Sequence, residues 1–344
     1  MASNFEMKVL FGIKFSTKLI DYYRENLPDD IELIIPPDFE NETICRLASD
    51  IDFYIDYKIS EEFLEKAKKL KHIQIPWTGS DKFDFALIKK YPKITVSNSH
   101  SNSLAIAEHA VALLMSAAKK IPYRDSYMRK GDWSPRYESR MYSTWVTGKT
   151  LGIIGFGSIG EKVAKMVKLG FNMKVLGLKR DPKKKRDSSF CDFLGGPQDL
   201  SYILSESDYL LISMPLTEET KSLIGKEQLE MMKDDAIIVN IARGPIIEEK
   251  ALFNHLKKSN ITAALDVWYN YPENWIDFSK VGKKPEPFHQ NYPFQDLDNV
   301  IMSPHSAFKV INIGEETSKD IINNLILVSN GETPKNLLNR EMNY

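Results

Sequence analysis

A glycine-rich turn near the middle of the chain constrains the fold more than any other feature. The stretch "LGIIGFGSIGEKVAKMVKLGF" (151–171) places Gly155, Gly157 and Gly160 between an apolar strand-like run and an amphipathic helix-like run. In such a strand–turn–helix unit the first glycine permits the tight turn, the second lets a ligand approach the backbone, and the third lets the helix pack on the strand. The pattern predicts a βαβ unit that binds a dinucleotide pyrophosphate at the helix N-terminus. The competing interpretation is a flexible turn in an ordinary α/β protein.

Strand-like and helix-like segments alternate on both sides of this turn. Short runs rich in β-branched or aromatic residues occur first at 8–15, 31–36, 52–57, 72–76 and 94–98, and after a long helical pattern at 102–121 they return at 150–155, 174–178, 208–214, 236–242, 262–267 and 299–303. A further amphipathic helix is predicted from about residue 313. The alternation is typical of parallel βαβ units, and 344 residues suffice for two domains. The predicted fold is therefore α/β, with two doubly wound parallel-sheet domains of Rossmann or flavodoxin-like type.

The composition excludes several classes of protein. Forty-six basic residues against 47 acidic residues leave a formal charge of −1, which does not support a broad surface for nucleic acid. Cys45 and Cys191 form neither a disulfide framework nor a metal-ligand pattern, so no metal is expected. The longest largely apolar run (110–118) is far too short to span a membrane, and the first residues lack a signal-peptide layout. We expect a cytoplasmic protein with neither nucleic acid nor membrane as a partner.

Three polar residues follow predicted strands of the second series. Arg243 follows the run at 236–242, Asp266 lies at the end of "TAALD", and His305 follows the run at 299–303. In an open parallel sheet the carboxyl ends of the strands border the crevice where ligands bind. The guanidinium of an arginine matches a carboxylate better than an ammonium does. The alternatives are a surface arginine before a glycine turn and a structural histidine.

The end of the second strand after the glycine-rich turn departs from the usual pattern. An acid normally stands there and accepts hydrogen bonds from the ribose hydroxyls. Here "KVLGLKRDPKKKR" (174–186) places Lys179 and Arg180 at that point. A cationic pair would attract a 2′-phosphate, which predicts a preference for NADP(H), with NAD(H) possible. If the strand instead extends two residues further, Asp181 would be the ribose acid.

Several motifs together resemble those of one family. "GFGSIG", "PLTEETKSLIG", "NIARGPIIEEKAL", "AALDV" and "SPHSA" occur in the order and spacing of the D-isomer-specific 2-hydroxyacid dehydrogenases, and "PWTGSD" (76–81) and "NSLAIAEHAV" (102–111) agree with the family. The resemblance implies two doubly wound domains with a cleft between them. The substrate-binding domain would comprise 1–120 and 306–344, and the dinucleotide-binding domain 121–305. The family is usually dimeric, so a homodimer with the 120–150 arm reaching the neighbour is implied.

The resemblance also implies an activity and a site. A hydride would pass between NAD(P)(H) and a 2-keto acid or D-2-hydroxy acid, as in glyoxylate/hydroxypyruvate reductases. Arg243 would hold the carboxylate and keto oxygen, His305 would give its proton to the carbonyl oxygen, and Asp266 would bond the nicotinamide carboxamide. The substrate-binding positions are expected to be Trp77, Thr78, Gly79 and Asn102, where the N–H groups of Thr78 and Gly79 meet the carboxylate. The expected cofactor-binding positions are Gly155, Gly157, Ser158, Ile159, Gly160, Lys179, Arg180, Pro215, Thr220, Ile241, Asp266 and His305.

One position departs from the family. The acid that normally pairs with the histidine stands five residues after the aspartate, where this chain has Tyr271, and Glu273 could replace it only if the loop is displaced. A tyrosine can orient the His305 ring but adds no full charge, so keto-acid reduction is expected to slow as the pH rises. Formate dehydrogenases of the superfamily also replace that acid and are a minor alternative. A cofactor-sensing, corepressor-like binding protein of the same fold is the alternative from another class.

Overall fold

The computed structural model describes residues 7–139, 142–183, 189–272 and 288–341. Within these ranges the strands are β1 (Met7–Phe11), β2 (Ile31–Ile34), β3 (Phe53–Ile55), β4 (His72–Gln74), β5 (Thr95–Ser97), β6 (Thr150–Ile154), β7 (Lys174–Leu178), β8 (Phe193–Gly195), β9 (Tyr209–Ile212), β10 (Ile237–Asn240), β11 (Thr262–Leu265) and β12 (Val300–Met302). The α-helices are α1 (Thr17–Asn26), α2 (Asn41–Leu47), α3 (Glu61–Lys66), α4 (Phe85–Ile88), α5 (Ser103–Lys119), α6 (Ile121–Met128), α7 (Ser158–Phe171), α8 (Leu200–Glu206), α9 (Lys226–Glu230), α10 (Glu249–Leu256) and α11 (Ile313–Ser329). The chain divides into two compact units: the first is Met1–Asn102 with Val310–Tyr344, and the second is Ser103–Lys309.

The first unit contains a five-stranded parallel sheet in the order β2-β1-β3-β4-β5. Successive side chains of a strand point to opposite faces, so each face carries its own apolar cluster. Val9 and Phe53 face a cluster that includes Ile321 and Leu325 of α11. Leu10 and the other alternate residues face the opposite cluster, which α2, α3 and α4 cover.

Buried polar side chains tie the end of the chain to this sheet. The amide of Asn324 on α11 donates to Gln74 Oε1 at 2.8 Å, and the N–H of Lys335 donates to Asn324 Oδ1 at 2.8 Å. His72, one strand position before Ile73, is fully buried beside Gln74, and burial lowers the pKa of its imidazole to about 4. The imidazole is therefore neutral at ordinary pH, because a buried charge would lack the stabilisation that water provides.

The second unit contains a seven-stranded parallel sheet in the order β12-β11-β10-β9-β6-β7-β8. The chain starts in the centre at β6, runs outward to β8, and returns to β9 on the other side of β6. Helices α5 and α7 cover one face, where Leu151 and Val175 are buried, and α8, α9 and α10 cover the other. This reversal beside β6 puts a topological switch point at the glycine-rich turn, where open α/β sheets bind ligands.

The long helix α5 packs within the second unit. Its small and apolar side chains, among them Ala110 and Leu114, share a buried cluster with Leu151, Val163 and Val239. The compact units therefore divide at 102/103 and 309/310, whereas the sequence predicted domain boundaries at 120/121 and 305/306. An amphipathic helix belongs to the domain against which its apolar face is buried. Since residues distant in sequence form that surface, the sequence pattern of α5 does not reveal which domain it joins.

The prediction of two parallel-sheet α/β domains is confirmed, as are the long helix near 102–121 and the helix from 313. Two details differ. The first strand was predicted to reach residue 15 but ends at Phe11, because the chain then turns so that Ser16 caps α1. The edge strand β8 was not predicted, since "FLG" has no β-branched residue and is followed directly by Gly196 and Pro197. No helix in the described ranges is long and apolar enough to cross a lipid bilayer.

Candidate active site

The glycine-rich turn joins β6 to α7. Gly155 has a φ of +98°, and a Cβ atom there would lie 2.6 Å from the Cβ of Met214, so a side chain does not fit. Gly160 lies against Ile153, where an added Cβ would be 3.0 Å from Cγ2. At Gly157 the space is open, because the nearest atom to an added Cβ is the Gly155 carbonyl oxygen at 4.0 Å. A phosphate group can therefore approach the backbone at the start of α7, beside the N–H groups of Ser158 and Ile159.

The end of β7 lies next to this turn. Strand β7 ends at Leu178, whose carbonyl accepts from the N–H of Gly155 at 3.0 Å. Lys179 comes immediately after the strand, and Arg180 Nη2 lies 3.5 Å from Glu219 Oε2. Asp181 lies further along and accepts from the N–H of Lys183 at 3.1 Å, within its own turn. Strand β7 thus stops at Leu178, so Lys179 is the first residue after it and Asp181 the third. Residues 184–186 of the basic run lie outside the described residues.

Two turns follow β9 and β10. After β9, the hydroxyl of Thr220 donates to the Pro215 carbonyl at 2.8 Å and closes a tight turn. After β10, the buried Asn240 accepts from the N–H of Ala242 at 3.0 Å and donates to the Arg243 carbonyl at 3.0 Å. Asn240 thus fixes the backbone that carries Ile241 and Arg243. This role of Asn240 was not predicted, although the sequence shows an asparagine at the end of an apolar strand.

The turn after β12 carries His305 and is held by Asp266, which follows β11. His305 has a φ of +55°, a left-handed conformation that costs a non-glycine residue about 1–3 kcal/mol. The Asp266 carboxylate, 1% exposed, accepts from the Ser303 hydroxyl and from the N–H groups of Ser306 at 2.9 Å and Ala307 at 3.0 Å. These bonds stabilise the strained turn on both sides of His305. Burial alone would raise the pKa of Asp266, but hydrogen bonds from His109, from Ser303 and from the N–H groups of the turn lower it below its ordinary value.

The His305 ring is oriented by an aromatic residue. Tyr271 Oη lies 2.9 Å from His305 Nδ1 and accepts from the backbone N–H of Trp268 at 3.0 Å. The indole N–H of Trp268 donates to the Ser303 carbonyl at 2.9 Å, so the segments after β11 and β12 are joined twice. Tyr271 therefore occupies the place beside the histidine that the sequence analysis considered for it. Glu273, the other residue considered, lies outside the described residues.

In the first unit, the expected substrate-binding positions lie together at the carboxyl ends of β4 and β5. Thr78 Oγ1 lies 2.6 Å from Asn102 Oδ1 and 2.9 Å from the Ser99 carbonyl oxygen. The Trp77 ring packs against Tyr57, with 5.0 Å between ring centroids. Among the described residues, no acceptor takes a hydrogen bond from the N–H of Thr78 or Gly79. These two donors suit an anion such as a carboxylate.

Each of the two units groups its own expected site residues. The second unit places Arg243, Asp266, Tyr271 and His305 after neighbouring strands of one sheet, and it also contains the expected cofactor-binding positions. No group of three or more His, Cys, Asp or Glu side chains in the described ranges is arranged to hold a metal ion. A Rossmann-type sheet with an open glycine turn and a histidine fixed at a strand end is typical of nicotinamide-dependent oxidoreductases.

Comparisons with known proteins identify which family of oxidoreductases this is. The family model described as D-isomer specific 2-hydroxyacid dehydrogenase, NAD binding domain, matches residues 111–307. D-3-phosphoglycerate dehydrogenase of Archaeoglobus fulgidus is 33% identical over 325 residues, which are 92% of this chain and 57% of that protein. Glyoxylate reductase of Pyrococcus furiosus is 32% identical over 311 residues, which are 88% of this chain and 86% of that enzyme.

Solved structures agree with this family. An acyclic imino acid reductase in complex with NADPH and D-Arg is 28% identical, with a TM-score of 0.75, and the match covers 97% of this chain and 100% of that chain. The chain therefore belongs to the D-isomer specific 2-hydroxyacid dehydrogenase family, as an NAD(P)-dependent enzyme.

Proposed function

We propose that the protein reduces a small 2-keto acid, of the glyoxylate or hydroxypyruvate type, to the D-2-hydroxy acid and prefers NADPH. The observation that carries this proposal is the His305 turn, where a histidine at a strand end is oriented by Tyr271 and braced by Asp266. A histidine held in a strained conformation at a strand end is suited to proton transfer, because strain of this kind persists where the surroundings fix a functional geometry. Glyoxylate reductases among the relatives at about 32% identity support the substrate class.

The preference for NADPH rests on the residues after β7. When bound, the reduced dinucleotide supplies the hydride. The open backbone at Gly157 and the N-terminus of α7 would hold its pyrophosphate, and Lys179 and Arg180 would meet a 2′-phosphate where an acid would repel it. Glu219 lies 3.5 Å from the Arg180 guanidinium and would hold it in position. NAD(H) would bind more weakly, since it has no group for the cations to hold.

In the first unit, the backbone donors of Thr78 and Gly79 suit the substrate carboxylate. In the second unit, the Arg243 guanidinium suits a carboxylate or a keto oxygen. Asn240 fixes the Arg243 backbone, and Arg243 Nη1 donates to the Ala242 carbonyl at 2.7 Å. The guanidinium is rigid and planar and carries several N–H donors. Such a group can bind the carboxylate and the keto oxygen together, which polarises the carbonyl before reduction. The Asp266 carboxylate, expected to bond the nicotinamide carboxamide, already accepts three bonds from the His305 turn. It would contribute to the carboxamide only through its remaining lone pairs.

His305 would give a proton from its ring to the carbonyl oxygen as carbon 2 becomes tetrahedral. Tyr271 Oη is 2.9 Å from Nδ1, so we expect proton transfer to use the other ring nitrogen, Nε2. In oxidation the same nitrogen accepts the proton of the hydroxy acid. Reduction therefore uses the protonated ring and oxidation the neutral ring.

The proposal is tested with a panel of 2-keto acids, among them glyoxylate, hydroxypyruvate and pyruvate, by following the absorbance of NADPH and of NADH. We expect turnover of at least one member, with a higher kcat/KM for NADPH than for NADH. His305→Ala should lower the chemical step by about 10²–10⁴-fold, whereas His255→Ala on α10 should leave it unchanged. Binding of cofactor without turnover of any member would instead favour a cofactor-sensing protein.

A homodimer is part of the same proposal. The segment that follows α5 exposes several large apolar side chains in the described ranges, namely Ile121, Met128, Trp133, Tyr137, Tyr142 and Trp145. Exposed aromatic residues gathered in one segment are typical of protein–protein contacts. Light scattering after size-exclusion chromatography should give twice the chain mass of 39.5 kDa. Trp133→Asp and Trp145→Asp together should shift the protein towards the monomer, and a monomeric wild-type protein at micromolar concentration would contradict this part.

A further inference from the structure

A second histidine contacts the group that holds the His305 turn. His109, on α5, places its Nε2 3.2 Å from Ser303 Oγ and 3.5 Å from Asp266 Oδ1. All four residues belong to the second unit, and the motifs of the sequence analysis gave His109 no role. It lies in the stretch "AEHAV", on the face of α5 that meets the ends of β11 and β12.

The direction of these hydrogen bonds can be derived from the available protons. The single proton of the Ser303 hydroxyl is donated to Asp266 Oδ1, so Ser303 Oγ can only accept from His109. The Asp266 carboxylate is also an acceptor. Both atoms beside His109 Nε2 are therefore acceptors, and Nε2 carries the hydrogen. His109 is the donor from the helix side, while the donors from the turn are Ser303, Ser306 and Ala307.

The N–H of His109 affects His305 through the Asp266 carboxylate. Asp266 is 1% exposed, and a carboxylate removed from water needs a full set of donors to remain ionised. The same carboxylate holds both sides of a turn in which His305 has a φ of +55°. If one donor is removed, the carboxylate can shift towards solvent or towards the remaining donors. A shift of the turn by a fraction of an ångström then displaces the His305 ring.

We propose that His109 is a positioning residue: through Asp266 and Ser303 it holds the His305 turn in the geometry needed for proton transfer. The inference rests on the proposed reduction of a 2-keto acid. It concerns the rate of the chemical step and not the binding of substrate, since His109 contacts Ser303 and Asp266, which hold the His305 turn. The apolar residues of α5 bury the helix independently of His109, whose side chain is 29% exposed. The fold should therefore survive its substitution.

Two variants separate positioning from general stability. His109→Leu removes the donor and keeps a similar volume, whereas His109→Gln can place an amide N–H near Ser303 and Asp266. Glu108→Gln, one residue earlier on the exposed side of α5, is the matched control. We expect His109→Leu to lower kcat by about 10- to 100-fold with KM within about threefold, because a small misplacement of a catalytic group costs this much. His109→Gln should recover most of the rate, and the control should equal the wild type.

Amide hydrogen exchange provides a readout that does not depend on activity. The N–H groups of Ser306 and Ala307 donate to Asp266, so their exchange in the intact protein should accelerate at least about fivefold in His109→Leu and remain near the wild-type rate in His109→Gln. Unchanged exchange in His109→Leu, or a kcat within threefold of the wild type, would overturn the inference. Equal losses in both variants with a lower Tm would also overturn it, since they indicate a structural role only. If the wild type reduces no keto acid, the proposed function fails, while the exchange measurement still decides whether His109 holds the turn.

Discussion

Replacing Tyr271 by phenylalanine removes one oxygen atom and tests the arrangement around His305 directly. In the structure that oxygen lies 2.9 Å from His305 Nδ1 and accepts from the N–H of Trp268 at 3.0 Å. Without it both nitrogens lose this contact, at a cost of about 1–3 kcal/mol for each group that stays dry. This loss lowers kcat only to the extent that it is larger in the transition state of proton transfer than in the ground state. We take that difference to be about 1–2 kcal/mol, which corresponds to a roughly 5- to 30-fold decrease in kcat.

The assay is the steady-state rate of keto-acid reduction by NADPH, measured over a range of pH. Tyr269→Phe is the matched control, because it removes the hydroxyl of a nearby tyrosine whose ring stacks on Phe294. Tyr271→Glu extends the test, since a carboxylate beside the ring favours the imidazolium and an opposite charge at this distance shifts a pKa by about 1–3 units. The declining limb of the reduction profile should therefore move to higher pH. A Tyr271→Phe variant with wild-type kcat, or a Tyr271→Glu profile that does not move, would refute the assignment of Tyr271 as the partner of His305.

Three further predictions concern other parts of the molecule. Arg180→Glu, next to Glu219, should lower kcat/KM for NADPH by about 10- to 100-fold and change that for NADH little; equal losses for both cofactors would contradict the proposed phosphate contact. Arg243→Lys should lower kcat/KM by roughly 30- to 1,000-fold, or about 2–4 kcal/mol, because an ammonium cannot bind two oxygens as a planar guanidinium does, and near-normal turnover would exclude that role. Burial lowers the pKa of His72 in the folded state to about 4 from an ordinary 6.5, so its contribution to stability is complete above about pH 6.5 and is lost as the pH falls towards 4. Urea unfolding should show that the wild type loses about 2 kcal/mol more than His72→Gln between pH 7 and pH 5, and equal losses would contradict a buried neutral imidazole.

Much of the fold was accessible from local sequence patterns. The βαβ alternation, the glycine-rich turn and the long helix α5 all depend on residues close together in the chain, and each was predicted near its actual position. The positions of Arg243 and His305 followed from the same reasoning, because a polar residue directly after an apolar run marks the end of a strand. Strand β7 likewise ends at Leu178, as the sequence pattern predicted.

Other features could not be predicted, because they depend on contacts between residues far apart in sequence. Helix α5 was expected in the substrate-binding domain but packs against the sheet of the second unit. That Asp266 bonds the cofactor stays a prediction, whereas the role of its carboxylate in holding a turn some 40 positions later, through the N–H groups of Ser306 and Ala307, was not predicted. Nothing in the sequence around Asp266 indicates which donors will surround it.

The sequence by itself determined the class of fold, the glycine-rich turn and the residue types available for catalysis, since hydrophobic periodicity and glycine spacing depend on residues close together in the chain. Only the tertiary structure decided which of these side chains meet. Tyr271 contacts His305 because β11 and β12 are neighbours in the sheet, with Leu265 opposite Met302, and His109 contacts Ser303 because α5 lies across the ends of those strands. Sheet order and helix packing are set by the burial of apolar faces over the whole unit, and the hydrogen-bond partners of the site residues follow from that arrangement.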